Sequence, residues 1–332
     1  MNRQKNIVPN NDIVRKSESL VKARYSLNPL ALKFVTTIIA NLKRSDEVDK
    51  EYIFRVKDFA EMMGVSYHDI YAEMEEAVEE LLKKPLHIKT DDGWLKANWI
   101  SDAEYKEGMG HISFTISKKL RPYLLAVQEK FLKYHIENIL RLRSGYVIRL
   151  YEILKDWYNK ANRYDNGKKA DKIAEVKWLR DTLEFSKGYR YNDIKRVIQK
   201  AQKDLEQHTD ITFTFEEIKT GRKVTHLKFI IEENPKNAKK LEDKNKYSFL
   251  ATKRSFVNYL RKHYVNKPII EAPNKNANGQ MSKWSINPQG LVYDMYLTEE
   301  NINATRSDEI YEKLYEFAKE NERFKEKLAK KE

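Results

Sequence analysis

The 332-residue chain contains no cysteine and has seven histidines. The absence of cysteine excludes disulfide bonds, thiolate zinc sites and cysteine nucleophiles. The histidines are scattered without HExxH or similar ligand spacing, and no GxxxxGK(S/T) loop for nucleotide phosphates occurs. The sequence therefore predicts a protein that is not an enzyme and that holds neither a metal nor a cofactor.

Long apolar runs are also missing. None approaches the roughly 18 residues that a membrane-spanning helix needs. Residues 1–14 lack the apolar core and the cleavage site of a signal peptide. We therefore expect a soluble, cytoplasmic protein without a membrane partner.

Positive charge is abundant. Lys and Arg number 63 against 50 Asp and Glu, which gives a net charge of +13, while 41% of residues are hydrophobic. This is the composition of a folded basic protein, and such proteins most often bind nucleic acid or an anionic membrane. Because a single core seldom grows past about 250 residues, the length predicts two ordinary domains plus an appendage.

The first region has the pattern of a helix-turn-helix domain with a wing. Asn28 and Pro29 are predicted to start a long helix that runs through Lys43. A short helix that Gly64 ends precedes a second helix that Ser66 caps. The wing strands are predicted at residues 86–90, 94–101 and 111–117.

The second region repeats this order of elements after a helix at residues 136–160. Its predicted elements are a polar loop at 162–172, a helix at 176–184, a turn at 186–188, a long helix at 191–207 and strands at 211–218 and 223–232. Gly221 supplies the backbone freedom that the hairpin tip needs. The repeated order predicts an α+β, mainly helical protein with two tandem winged-helix domains.

We place the first winged-helix domain at residues 11–130 and the second at residues 131–235. Residues 236–332 are predicted to form a linker and a C-terminal helical extension of unknown role. Within that extension, a helix is expected near residues 247–264, a loop at 274–290 and an amphipathic helix at 307–330.

The long helix of the second domain separates into two faces. Ile194, Val197, Ile198, Ala201 and Leu205 have core spacing, whereas the other side carries Asn192, Lys195, Arg196, Gln199 and Lys203, with Lys200 on the same basic surface. Arg and Lys can donate to guanine, and Asn and Gln can pair with adenine, in the major groove. No carboxylate interrupts this face. A merely solvated face is the alternative, and the winged-helix context favours DNA binding.

Other basic residues are candidate phosphate contacts. They are Arg222 and Lys223 at the hairpin tip, Arg141 and Arg143 with Ser144 as a helix N-cap, and Lys168 and Lys169 in the loop after Gly167. Arg149 is a further candidate beside Arg141 and Arg143. The alternative is that Arg143 and Arg149 pair with acids such as Glu137 and Glu152.

The matching helix of the first domain is acidic, with Glu73, Glu75, Glu76, Glu79 and Glu80. In a DNA groove these carboxylates would be repelled by phosphates. We therefore expect the first domain to serve protein contacts or docking rather than base readout. A solvent-facing acidic helix without a partner is the alternative.

Three segments, residues 19–42, 133–157 and 191–231, resemble the replication initiator (Rep) proteins of iteron-bearing, theta-replicating bacterial plasmids. The most specific features are a recognition helix with a Gly-Arg-Lys wing and a motif made of Ser144, Tyr146, Arg149, Tyr151 and Glu152. The resemblance covers about residues 11 to 233 and places the protein in the bacterial cytoplasm.

The resemblance implies that the second winged helix binds tandem repeats of double-stranded origin DNA and that the protein helps to open the origin. It also implies dimerisation through the first domain, with monomers initiating replication and dimers repressing the rep gene. The host initiator and the replicative helicase are implied partners.

Two other functions are alternatives. A transcriptional regulator with tandem winged helices would have the same fold, so the fold cannot separate it from an initiator. A rolling-circle nicking initiator would need a His-hydrophobic-His metal pair, and no histidine has that partner.

Overall fold

The computed structural model describes residues 4–7, 13–43, 46–105, 110–125, 131–163, 169–238, 241, 253–273, 281–287, 291–294 and 304–329. The chain forms two compact units, residues 1–238 and 239–332. Both predicted winged-helix domains lie in the first unit. None of the helices described in either unit is long and apolar enough to cross a bilayer.

The first domain surrounds a helix that is buried on all sides. Its elements are β1 (Gln4–Ile7), β2 (Ile13–Ser17), α1 (Glu18–Val21), α2 (Pro29–Asn41), β3 (Glu51–Arg55), α3 (Val56–Met63), α4 (Tyr67–Lys83), β4 (Leu86–Thr90), β5 (Gly93–Ala97), β6 (Ile100–Tyr105), β7 (His111–Ile116), α5 (Arg121–Leu125) and β8 (Phe131–His135). Asn28 caps α2, because its side-chain oxygen accepts from the Ala31 N–H at 2.7 Å. Every residue of α2 from Leu30 to Ala40 is buried, which identifies this helix as core.

The expected strand at residues 94–101 is two strands in the structure. β5 pairs with β4 as a separate hairpin, whereas β6 joins a sheet of order β1-β3-β7-β6. Between them Trp99 is 1% exposed and packs edge-on against Tyr25, with ring centroids 4.9 Å apart. Burial of this large side chain bends the chain away from the first hairpin.

β8 pairs antiparallel with β2, with His135 opposite Ile13 and Phe131 opposite Ser17. Residues 131–135, which the predicted boundary assigns to the second domain, therefore form a strand that is hydrogen-bonded to a strand of the first. This pairing could not be predicted from the local sequence, because the two strands lie far apart in the chain.

The α7 helix (Gly145–Ala161), which follows α6 (Glu137–Leu140), supports both domains. Its Arg149 is 1% exposed and donates to Glu152 at 3.0 Å and to the Val21 and Ala23 carbonyls at 2.9 Å. Lys16 also pairs with Glu152. Arg149 is therefore not part of a phosphate-binding patch, and the alternative that it pairs with Glu152 is confirmed.

The second domain consists of β9 (Lys169–Glu175), α8 (Val176–Thr182), α9 (Tyr191–His208), β10 (Ile211–Thr220) and β11 (Lys223–Glu233). Its three strands have the order β10-β11-β9. The prediction of a loop through residue 172 was wrong for its last residues, because β9 begins at Lys169 and pairs antiparallel with β11. Gly221 has φ +61 at the tip of the β10–β11 hairpin, which we call the wing.

The second unit is a small α+β module. Its elements are α10 (Lys253–His263), β12 (Ile270–Pro273), β13 (Met281–Ile286), β14 (Val292–Asp294), α11 (Ala304–Glu320) and α12 (Glu322–Ala329). The expected loop at 274–290 was wrong for residues 281–286, because β13 is the central strand of an antiparallel sheet, and residues 274–280 and 288–290 lie outside the described residues. The expected helix at 307–330 is two helices that meet at Asn321, whose side-chain oxygen accepts from the Phe324 N–H at 2.9 Å.

Candidate nucleic-acid interface

The α9 helix is anchored to the core along one face. Ile194, Ile198, Ala201 and Leu205 are buried there. At its start the Asp193 carboxylate accepts from the Arg190 N–H at 2.8 Å, which satisfies a backbone donor that the helix leaves unpaired. The predicted limits of this helix, residues 191–207, agree with the structure to within one residue.

The opposite side of α9 is exposed and polar. Asn192, Arg196, Gln199 and Lys203 follow one another at i, i+4, i+7 and i+11 and are all exposed, so they lie on one line of the helix surface. We call these four residues the outer face. The Arg196 side chain is 78% exposed, and its 3.3 Å contact with Asp193 is a surface ion pair, which contributes little energy. Lys200 is exposed beside the outer face.

Lys195 lies at the edge of the outer face and has a partner that the sequence did not reveal. Its ammonium nitrogen is 2.7 Å from the Glu217 Oε1 on β10. The Tyr191 hydroxyl donates to the same oxygen at 2.7 Å. These hydrogen bonds, first from Lys195 and then from Tyr191, lower the pKa of Glu217 below its usual value. A carboxylate from the wing therefore adjoins a face that was expected to be free of carboxylates.

The tip of the wing carries two exposed cations, Arg222 and Lys223. The hairpin twists near its end, because the pairing register shifts between Ile218 and Lys219. The hydroxyls of Thr220 and Thr225 are 2.9 Å apart across the two strands. The wing thus presents its basic tip on two hydrogen-bonded strands rather than on an open loop.

Lys169 lies at the other end of the same sheet. It is opposite Glu232 in the register, with its ammonium 3.9 Å from that carboxylate. Glu232 is nine positions from Lys223 along β11, about 30 Å at the usual rise of a strand. The structure therefore does not bring Lys169 to the wing tip. Lys168 lies outside the described residues.

Arg141, Arg143 and Ser144 form a short connection between α6 and α7. Both arginines are exposed, and Leu142 between them is 1% exposed. Ser144 is the N-cap of α7, as predicted, and its side chain makes no capping hydrogen bond. Arg143 forms no ion pair with Glu137 among the described contacts, so that alternative does not hold for Arg143.

This connection lies beside the C-terminal end of α9. The Asn138 side-chain oxygen accepts from the Asp210 N–H at 2.8 Å. The Asp210 carboxylate accepts a hydrogen bond from the Tyr151 hydroxyl at 3.0 Å. It also forms an ion pair with the Lys155 ammonium at 2.9 Å. Burial first, and then the charges of Arg141 and Arg143, lower the pKa of His208.

Sequence reasoning missed a buried cation in the first domain. Lys33 on α2 is 5% exposed. Burial, and then the charge of Arg143, lower its pKa to about 8, while the charge of Glu73 opposes the shift. A lysine inside the apolar run from Leu30 to Ala40 was the available signal.

The acidic helix α4 uses one glutamate for structure. The Glu80 Oε2 accepts from the Asn28 N–H at 2.6 Å and Lys84 donates to Oε1 at 2.5 Å. Glu79 pairs with Lys83 on the same helix. That the first domain is not the main base reader stays a prediction. Across the described residues, no group of three or more His, Asp or Glu side chains is arranged to hold a metal.

Comparisons with known proteins identify the two domains. Residues 13–155 match the family model described as "Initiator Replication protein, WH1", and residues 175–231 match "Initiator Rep protein, WH2". The chain is 24% identical over 231 residues to a "Replication initiation protein" of Escherichia coli, and the match covers 66% of this chain and 69% of that protein.

One solved structure supports the fold. The crystal structure of the Pi initiator protein in complex with iteron DNA matches with a TM-score of 0.54 at 22% identity, covering 68% of this chain and 98% of that one. A WH1 domain of the replication protein MSBI1.176 matches at 14% identity with a TM-score of 0.21, over 29% of this chain and 73% of that one, and it carries no argument. The two family matches together contain α9, the wing tip and the Arg141–Ser144 connection.

Proposed function

Because the chain belongs to the family of initiator replication proteins with tandem WH1 and WH2 domains, we propose that it initiates plasmid replication by sequence-specific binding to direct repeats (iterons) of origin DNA. The observation that carries the proposal is the outer face of α9, four exposed donors beside a basic wing. The solved relative named for its complex with iteron DNA supports the same ligand.

The outer face is proposed to lie in the major groove. The N-terminal residues of a recognition helix reach base edges, so Asn192, Arg196 and Gln199 are the base-reading candidates. An Arg can donate two hydrogen bonds to guanine, and Asn or Gln can pair with adenine. Lys203, three turns along the helix, is placed at the phosphate backbone. Lys200 is assigned to a phosphate on the flank.

The remaining proposed contacts are to phosphates. Arg222 and Lys223 reach the backbone or an adjacent minor groove from the wing tip. Arg141, Arg143 and Ser144 contact the backbone near the C-terminal end of α9, and Lys195 lies between the outer face and the wing. Lys168 and Lys169 are assigned a separate, more distant phosphate contact, because the sheet places Lys169 far from the wing tip.

The finer parts of the function rest on the family. They are origin opening, recruitment of the host initiator and helicase, a homodimer in equilibrium with the monomer through the first domain, and repression of the rep gene by the dimer. The first domain spans residues 11–130, the second 131–235 and the extension 236–332 in this proposal. The family assignment favours initiation over a transcriptional regulator, and we propose that the protein catalyses no reaction and acts in the bacterial cytoplasm.

A footprint tests the proposal. The purified full chain is bound to the DNA that surrounds its gene, and cleavage by hydroxyl radicals is mapped. We expect protection of several direct repeats at spacings of about two helical turns beside an AT-rich stretch. Protection of a single palindrome and nothing else would support the regulator instead.

A further inference from the structure

The hairpin of β4 and β5 exposes a tryptophan. Trp94 is 67% exposed, the largest fraction among the large hydrophobic side chains that the structure describes. It lies directly opposite Lys89 in the register, and Lys96, two positions along β5, lies opposite His87. Paired residues and alternate residues of a strand share a face of the sheet. These four side chains therefore lie together, and we call them the Trp94 face.

The Trp94 face is anchored to the first domain. The opposite side of β4 carries Leu86 and Ile88, which are fully buried. At its other edge β4 pairs with Arg24, because the backbone N–H groups of Arg24 and His87 each donate to the other residue's carbonyl oxygen at 2.9 Å. The face therefore lies on hydrogen-bonded strands that are packed on the core.

Trp94 is surrounded by basic side chains. The Lys96 ammonium is 5.5 Å from the centre of the Trp94 ring, and the His87 ring packs edge-on against it, with centroids 5.8 Å apart. Lys89 and Lys96 are exposed, and among the described residues neither forms an ion pair with a carboxylate. The two acids of the hairpin, at residues 91 and 92, lie in its turn. An exposed aromatic side chain with a charged rim is typical of a protein interaction surface.

The acidic helix α4 of the same domain offers a complementary surface. Glu75, Val78, Glu79 and Leu82 follow one another at i, i+3, i+4 and i+7, so they lie on one side of the helix. The two glutamates are exposed, and the two apolar side chains are half-buried. We call these four residues the acidic strip. Glu79 also pairs with Lys83, but this exposed ion pair contributes little energy.

We propose that the Trp94 face of one copy of the chain binds the acidic strip of a second copy. Trp94 packs against Val78 and Leu82 of the other copy, and the two lysines of the face pair with the two glutamates of the strip. The proposal assigns a surface to the homodimer of the proposed function, and it rests on that function in this respect. It is carried by the opposite charges of two surfaces that every first domain has.

Charge selects this pairing within the dimer. Two Trp94 faces repel each other, as do two acidic strips, whereas a face and a strip attract. Because each copy carries both surfaces, two copies that are related by a two-fold axis form the contact twice. Exposed ion pairs are screened by salt, so the dimer weakens as the salt concentration rises. Neither surface contains a residue that the proposed function assigns to DNA.

Duplex DNA is the other ligand that a basic face attracts. The turn of the hairpin carries acids at residues 91 and 92, and α4, which leads directly into β4, carries the glutamates of the strip. Both groups of acids repel phosphates. The surroundings of the Trp94 face therefore favour the second copy, and DNA binding by this face is an outcome of the test.

Charge reversal of each surface gives the test. Lys89→Glu with Lys96→Glu makes the Trp94 face acidic, and Glu75→Lys with Glu79→Lys makes the strip basic. The full chain without DNA is followed by sedimentation velocity over a range of protein and salt concentrations. We expect the wild type to dimerise at low salt, and each double variant alone to bind itself at least about tenfold more weakly. An equimolar mixture of the two should dimerise within a few fold of the wild-type affinity, because every contact in the mixed dimer is attractive again.

The matched control makes the same change of charge elsewhere. Lys118→Glu with Lys119→Glu reverses two exposed lysines of the first domain. This variant should dimerise like the wild type, and adding it to the variant with the basic strip should not restore a dimer of that variant. Trp94→Ala keeps all the charges and should weaken the dimer at low and at high salt. It decides the test if a charge-reversed variant fails to fold.

A wild type that stays monomeric at every concentration, variants that dimerise like the wild type, or a mixture that stays dissociated would each overturn the proposal. A duplex affinity, measured by fluorescence anisotropy, that falls far more for Lys89→Glu with Lys96→Glu than for the control would also overturn it, because the face would then be a DNA contact. A wild type that protects no direct repeats would count against the proposed function alone, since sedimentation without DNA still reports on the dimer.

Discussion

The Lys195 ammonium on α9 lies 2.7 Å from the Glu217 carboxylate on the wing strand β10. Tyr191 donates to the same carboxylate oxygen. The helix and the wing are therefore linked by side chains at the surface that is proposed to meet DNA. The link orients Lys195, and it also places a negative charge close to the phosphates.

Replacing Glu217 with Gln is expected to strengthen binding to every duplex by a few fold, because it removes a charge that repels phosphate and frees Lys195. The preference for the repeat should fall, since the common partner of Lys195 and Tyr191 loses its charge and holds both side chains less firmly. Anisotropy with repeat and unrelated duplexes measures both. Glu216→Gln, on the opposite side of the same strand, is the control. Unchanged preference with Glu217→Gln would show that the link does not shape readout.

The Lys195–Glu217 link should persist at neutral pH. The pKa of Glu217 is lowered by the hydrogen bonds that it accepts. A carboxylate with a lowered folded-state pKa stabilises the fold above its unfolded pKa and loses this effect as pH falls through the folded value. We therefore expect the difference in the free energy of unfolding between wild type and Glu217→Gln to be constant from about pH 6 to about pH 8. The difference should vanish in acid.

Lys33 predicts the opposite kind of pH dependence. Its folded pKa of about 8 is below the unfolded value of 10.5, so the unfolded chain binds more protons between these values. The free energy of unfolding should therefore rise with pH from about 8 towards 10.5, by on the order of 2 kcal/mol. Arg143 and Glu73 are the charges that face it.

Urea unfolding at several pH values measures this contribution, with Lys33→Met expected to flatten the rise. Lys22→Met, which replaces an exposed lysine that is paired with Glu18, should follow the wild type. Parallel curves for wild type and Lys33→Met would contradict a desolvated, titrating Lys33.

The wing tip and the far end of the sheet are expected to contact different phosphates. Arg222→Ala with Lys223→Ala should weaken binding to all duplexes and lower the salt slope by about two. Lys168→Ala with Lys169→Ala should do the same independently, so the four-fold variant should show additive losses. Lys119→Ala, an exposed lysine of the first domain, is the control. If the variant with Lys168→Ala and Lys169→Ala binds DNA with wild-type affinity, these two lysines are not part of the interface.

Gly145 should tolerate no side chain. A Cβ there would collide with the Leu27 carbonyl oxygen, whereas a Cβ on Gly188 would meet nothing within 4 Å. Gly145→Ala is expected to lower the free energy of unfolding by about 1 to 3 kcal/mol, because the start of α7 must move away from the Leu27 backbone. Gly188→Ala should stay within about 0.5 kcal/mol of wild type. Equal stabilities in urea would mean that α7 shifts without cost.

The sequence predicted the second domain well where local patterns dominate. The faces of α9 follow from helical spacing, and the wing follows from two strands around a glycine turn. Each of these two patterns is formed by residues that are close in sequence, so neither depends on the rest of the chain. The family resemblance then placed these elements in the right class of protein.

The errors arose where distant residues decide the structure. Arg149 resembles a surface cation in sequence, and its burial depends on carbonyls at Val21 and Ala23. In β9 only Ala170 and Ala174 are buried. The strand is therefore polar, and its sequence does not show the alternation of buried and exposed positions that predicts a strand. The Glu217 partner of Lys195 and the burial of Lys33 likewise depend on the tertiary fold.

The most direct test of the central claim is the affinity of wild type and Arg196→Ala for the footprinted repeat and for each of its single-base-pair substitutions. If the outer face of α9 reads bases, Arg196→Ala costs about 1 to 3 kcal/mol on the repeat and abolishes discrimination at one base pair while the other positions keep theirs. An equal loss on every sequence, or no loss at all, would contradict base reading by this helix.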